Sequence, residues 1–199
     1  MALGLVTVLG AASAAKADLP EGTGDVPRSA LAPTDYSIVK SLHGMSTLGV
    51  TAGQIAQKNG STQAVRDFGT TLVQTHTSGD QQLVAYAKNA GIDPNRMKNE
   101  PPPQELAYYL QSVDHLRTLK GKEFDLEFTR TVREAYGETI KQIQTAQPNI
   151  ADSKLNALLN QRLPILEQNY QTAASLAAQS AAALSNQHPA PLPSPNRIP

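Results

Sequence analysis

Four separate stretches of the chain carry apolar or small residues at steps of three and four, and that spacing decides most of what it can fold into. From Thr34 to Asn59 the series is Ile38, Leu42, Met45, Gly49, Ala52 and Ile55 or Ala56, one face of a single helix. A second series runs Val65, Phe68, Leu72, His76, Gly79, Leu83, Tyr86 and Ala90. A third joins Phe124, Phe128, Val132, Ala135, Thr139 and Ile143, and a fourth Leu155, Leu159, Leu163, Leu166, Tyr170, Ala173 and Ala177. No window shows the period-two alternation or the Val/Ile-rich runs of a strand. The expected class is all-α. Helices that are apolar on one face must bury those faces against each other, most simply as an antiparallel, up-down four-helix bundle about a shared core.

The breaks between the stripes are equally legible. Thr34 or Asp35 can cap the first helix, and Asn59-Gly60 supply its stop. Ser61 or Thr62 can cap the second, with Gly91 closing it. A connection as brief as Gly60-Ser61 makes the first two helices antiparallel neighbours. Ile92 to Pro103 holds four prolines and must leave the helical state, carrying the chain from one helix pair to the next. A short extra helix, Gln104 to Arg117 with Leu106, Leu110, Val113 and Leu116 inward, precedes the third long helix and is interrupted near Gly121. The third helix ends before Pro148, and the fourth starts on Asp152 or Ser153 with Pro164 inside it, where a bend is expected. The bundle domain is thus read as residues 34–182.

The two ends read differently. Met1 to Ala14 is a short apolar run, and Ala15 and Ala17 place small residues at the two positions that signal peptidase requires before Asp18. Residues 1–17 are therefore read as an export signal, too short for the roughly 20 residues of a bilayer span. The usual basic start is missing, so the true start codon is expected upstream. Residues 18–33 read as a flexible tether. Residues 183–199, which include the alternating prolines from His188 to Pro199, read as a solvated tail.

Composition removes several kinds of chemistry. Lys plus Arg and Asp plus Glu number 17 each, so no general attraction to nucleic acid or anionic membrane is expected. The absence of Cys excludes disulfides, thiolate metal sites and cysteine nucleophiles. There is no Trp, and aromatic residues are 5%, poor material for stacking on bases or sugars. A di-iron carboxylate bundle needs Glu-x-x-His on two helices, because residues three apart project onto one metal. Yet Lys40, Val73, Ser112 and Ser185 stand three residues before His43, His76, His115 and His188. No nucleophile elbow and no phosphate-cradling glycine loop is present.

His76 is then the residue of most interest, since its stripe places it inward between Leu72 and Gly79, one turn from Asp80. Asp80 could orient the imidazole, and Gly79 could make room for it. The expectation is a polar layer in the core made by His76, Glu134 or Glu138, and Tyr170. The same His76, Asp80, Glu134 and Glu138 are the candidates for holding a metal ion weakly. His43 is expected at the helix edge, in solvent, and the run Glu123, Asp125 and Glu127 is accounted for by the positive end of a helix dipole.

Taken together, Val65-Arg66-Asp67-Phe68, Leu72-Val73-Gln74-Thr75-His76-Thr77, Leu83 to Ala87, Gly121-Lys122-Glu123-Phe124-Asp125 and Leu163-Pro164-Ile165-Leu166 resemble an exported bacterial family catalogued as domain of unknown function 4142. The resemblance spans about Thr34 to Ala178. It implies an exported, often periplasmic, ferritin-like bundle and supplies no activity. The family commonly has an acidic residue where this chain has Thr75 and an Asp-His pair where it has Glu134-Ala135-Tyr136. A histidine often follows its Leu-Pro motif, where Glu167-Gln168-Asn169-Tyr170 stand here. Of three family histidines only His76 remains. The resulting expectation is a cell-envelope bundle, without cofactor, that binds an envelope protein or a small ligand rather than catalysing a reaction. A degenerate ferritin-like, stress-related protein holding metal through His76 is the alternative.

Overall fold

The computed structural model describes residues 31–100 and 104–186. The region read as export signal, most of the tether and residues 187–199 of the Pro-rich tail lie outside the described residues, whereas residues 183–185, read as the start of that tail, continue the last helix. Six α-helices follow in order: α1 Pro33–Asn59, α2 Gln63–Asn89, α3 Pro94–Asn99, α4 Gln104–Leu116, α5 Gly121–Ala146 and α6 Ser153–Ser185. Among the described residues there is no strand, and no helix is long and apolar enough to cross a membrane. The class is all-α.

α1 and α2 form one antiparallel hairpin. Gln57 bonds Thr70 near the turn and His43 meets Asp80 at the far end. The two backbones touch where Gly53 faces Gly69. A Cβ on Gly53 would stand 2.6 Å from the Gly69 carbonyl oxygen, and one on Gly69 2.7 Å from that of Gly53. Only glycine permits this approach. α5 and α6 form the second hairpin, joined at Tyr136–Asn169 and again at Lys122–Ala183.

The hairpins pack so that α1 runs against α5, with Ser41 bonded to Gln142, and α2 against α6, with Arg162 bonded to the Gly79 carbonyl. α2 and α5 consequently point the same way. The chain between them must return along the length of the bundle, about 40 Å for helices of this size. α3 and α4 make that return, and α3 corrects the expectation that Ile92 to Pro103 is wholly non-helical: Asp93 caps it and Pro94 stands in its first turn, where a missing N–H costs no helical bond. The simple up-down order expected from the stripes is therefore replaced by up, down, down, up, because the proline-rich connector is long enough to cross.

Two buried carboxylates lock the hairpins in register. Asp35 of α1 accepts from the Ala151 and Asp152 amides at 3.1 and 2.9 Å. Asp125 of α5 accepts from the Ser61 amide, the Ser61 hydroxyl and the Thr62 amide at 2.8, 2.6 and 3.2 Å. Each hairpin thus satisfies the turn of the other, where unpaired N–H groups would otherwise be orphaned. Asp35 is not the cap of α1, and Asp125 does more than favour its own helix dipole. Thr62 and Asp152 are caps, as expected, accepting from Val65 N and from Lys154 N and Leu155 N. Gly91 ends α2 at φ 76°, in the left-handed region.

The core follows the four stripes with a few rotations. Within it Phe124 and Phe128 stack, and Phe68 meets Phe128 edge to face. Leu31, within the stretch read as tether, is also buried in it. On α4 Leu110 is exposed and Tyr109 is buried instead. α6 continues through Pro164 as one helix, and it buries Arg162 and Asn169 where Leu163 and Tyr170 were expected. His43 is buried at 7% exposure, not solvated, because it faces α2, where its Nδ1 meets Asp80 Oδ1 at 2.6 Å.

Candidate functional site

α2 carries His76 into the bundle opposite Gly49 of α1, where a Cβ would overlap the imidazole. Gly49, rather than Gly79, makes the room. The ring lies nearly parallel to that of Tyr136 on α5, with centroids 5.6 Å apart and planes inclined by 21°. His76 Nε2 stands 3.0 Å from the Tyr136 hydroxyl, and Asn169 Nδ2 of α6 donates to that hydroxyl, also at 3.0 Å. The phenol oxygen accepts from Asn169, so its own proton is available to Nε2 when His76 carries its proton on Nδ1. Asn169 Nδ2 lies 3.5 Å from Thr75 Oγ1, closing a polar layer that spans three helices.

The electrostatics of the layer keep it uncharged. Burial, with the Arg162 guanidinium beside it, pushes the His76 imidazole down to about 4, while Asp80 pulls the other way. Burial raises the Tyr136 hydroxyl, against the hydrogen bond from Asn169. At neutral pH the layer is therefore a neutral imidazole, a neutral phenol and an amide, all hydrogen-bonded.

Arg162 is the exception. Its side chain enters from α6 at 7% exposure and packs on Gly79, where a Cβ would stand 2.5 Å from Nη2. Nη1 donates to the Gly79 carbonyl at 2.5 Å. Among the described residues no carboxylate oxygen lies within 4.0 Å of the guanidinium. Burial lowers its pKa, and Asp80 and then Tyr136 counter that.

His76, Tyr136 and Arg162 form a partition. On one side is a cavity of about 40 Å³ with apolar walls that include Leu42, Leu72, Val113 and Leu166. On the other is a groove of about 230 Å³ between α2 and α6, bordered by Gln74, Thr75, Ser78, Gln82, Ile165 and Asn169. The cavity exceeds the space one water needs.

The residues singled out from sequence are only partly drawn together. His76 occupies the layer. Asp80 does not orient it, because its Oδ1 meets His43 Nδ1 at 2.6 Å. Glu134 lies 3.8 Å from Arg130 on the outer side of α5, Glu138 is exposed, and Tyr170 is half-buried over Gly137. These three meet only in a shallow depression away from His76. Among the described residues no three His, Asp or Glu groups converge on a point that could hold a metal ion. Tyr136, Asn169 and Arg162 escaped the sequence reading because a search for apolar spacing passes over polar members of a stripe. Leu155, Leu159, Arg162, Leu166, Asn169 and Ala173 step by three and four just as regularly.

No curated protein and no solved structure matches the chain. A family model described as "Domain of unknown function (DUF4142)" matches residues 21–176, most of the chain, which therefore belongs to that family.

Proposed function

We propose that this protein is an exported, periplasmic helical bundle of the cell envelope that holds a small ligand and catalyses no reaction. The observation that carries this reading is the partition of His76, Tyr136 and Arg162 between an internal cavity and a surface groove. Core polar groups cost free energy unless they are satisfied, and bundles concentrate their binding sites between facing helices. The layer offers no nucleophile, and its imidazole is bonded on the side facing Tyr136. It suits recognition better than proton transfer. The order of long helices, with one long crossover, supports a ferritin-like bundle. The small residues before Asp18 support export.

Binding is tested on the mature chain produced with its own leader in a bacterial host. His76 Hε1 and Tyr136 ring resonances are followed against a library of small neutral and charged molecules. Saturable shifts confined to these residues, weakened in Tyr136→Phe, are expected. A library that moves neither resonance refutes the reading. Export is checked on the same material, by recovery from the periplasm with an N-terminus at Asp18.

A further inference from the structure

We infer that the groove between α2 and α6 binds a small monocarboxylate, its head group seated on the Arg162 guanidinium. The inference rests on the ligand-holding reading and adds the chemical class of the ligand. A buried guanidinium carries five N–H donors in a planar fork. Among the described residues one of its nitrogens has a protein acceptor, the neutral Gly79 carbonyl. A buried charge is expensive unless it is paired. The nearest candidate to pair it, Asp80, is engaged by His43 at 2.6 Å. Arg162 is also held in place rather than free to snorkel away, since Gly79 removes the side chain that would displace it.

What borders the groove fits an anion. None of the lining residues is Asp or Glu. Thr75, Ser78, Gln74, Gln82 and Asn169 all carry groups able to donate, and Ile165 with Leu166 gives an apolar wall. The charge count selects a carboxylate over a phosphate. Among the described residues Arg162 is the one cation lining the groove, His76 is neutral, and Asp80 weakens the positive field. One charge matches one charge, and a fork matches the planar two-oxygen head in geometry. A groove of about 230 Å³ is smaller than the roughly 300–1,000 Å³ of sites for drug-sized ligands. It suits an acid with a short apolar or hydroxylated body.

The test compares sodium butyrate, neutral butyramide and inorganic phosphate on the folded mature protein, with sodium chloride matching ionic strength. The readouts are the Arg162 side-chain Nε–Hε resonance and the His76 Hε1 resonance. Butyrate is expected to bind saturably and at least tenfold more tightly than butyramide. That preference should vanish in Arg162→Gln. Gln82→Glu leaves the core untouched at an exposed position and keeps the test open if Arg162→Gln fails to fold. It should weaken butyrate severalfold and leave butyramide unchanged. Equal binding of butyrate and butyramide overturns the carboxylate assignment, as does butyrate binding unchanged by Gln82→Glu. Tighter binding of phosphate than of butyrate overturns it in favour of a tetrahedral anion. If neutral library members shift His76 while butyrate does not, this inference fails and the ligand-holding reading stands. If nothing shifts His76, both fail.

Discussion

Acidifying the protein should unfold it partly through one residue. His76 titrates at about 4 in the fold and at about 6.5 in an unfolded chain. On lowering the pH the unfolded chain takes up the proton first, so the stability that depends on a neutral His76 is complete above about 7. It is lost progressively as the pH falls from about 6.5 to about 4. At about 1.36 kcal/mol per pKa unit the full loss is about 3 kcal/mol, of which about 2.5 kcal/mol has gone by pH 4.5. The rest of the protein has a pH dependence of its own, so the quantity of interest is a difference. Urea unfolding at pH 7.5, 6.5, 5.5 and 4.5 is measured for the native protein and for His76→Gln, which keeps a polar group for Tyr136 and does not titrate. The variant follows the pH dependence of the remaining groups alone, while the native protein loses about 2.5 kcal/mol more than the variant does between the extremes. Parallel curves for the two proteins would show that the imidazole is not held neutral by its surroundings.

Three other outcomes follow from the packing. Gly49→Ala drives a methyl group into the His76 ring and should cost about 2 kcal/mol. In a His76→Ala background the same change should cost under about 0.5 kcal/mol, which a double-mutant cycle by chemical unfolding measures. Asp125→Ala removes the acceptor of three hydrogen bonds at the α1–α2 turn and should destabilise by about 3 kcal/mol. Amide exchange at Ser61 and Thr62 should accelerate with it, and a fall in melting temperature with those amides still protected would contradict the capping role. The Lys40 ammonium, then Tyr36 and Arg96, holds Glu100 down at about 2. Its contribution is present above about 4.5 and lost as the pH falls through about 2. The protection of α3 amides, taken relative to their intrinsic exchange rate at each pH, should fall over that interval in the native protein and should already be low at pH 5 in Lys40→Ala.

Much of the site could not have been read from spacing. The stripes place His76 inward because its neighbours three and four residues away are apolar, a local property of one helix. Which groups face it depends on how four helices rotate about their axes. Turning α6 by about one position exchanges Leu163 and Tyr170 for Arg162 and Asn169, and turning α5 exchanges Ala135 for Tyr136. Asp80 was assigned to His76 because the two are four residues apart. In the fold it turns toward α1 and takes His43.

The amino-acid sequence alone determines that this chain is helical, that Thr62 and Asp152 cap two of its long helices, and that each long helix has one apolar face. These follow from periodicity, caps and breakers acting over a few residues. The tertiary structure alone decides that α2 and α5 run in the same direction, that Asp35 and Asp125 cap the opposite hairpin, and that Tyr136, Asn169 and Arg162 surround His76. Those partners stand between 33 and 117 residues apart along the chain. No local rule couples them, and only the closing of the core, which fixes the rotation of each helix, brings them within hydrogen-bond reach.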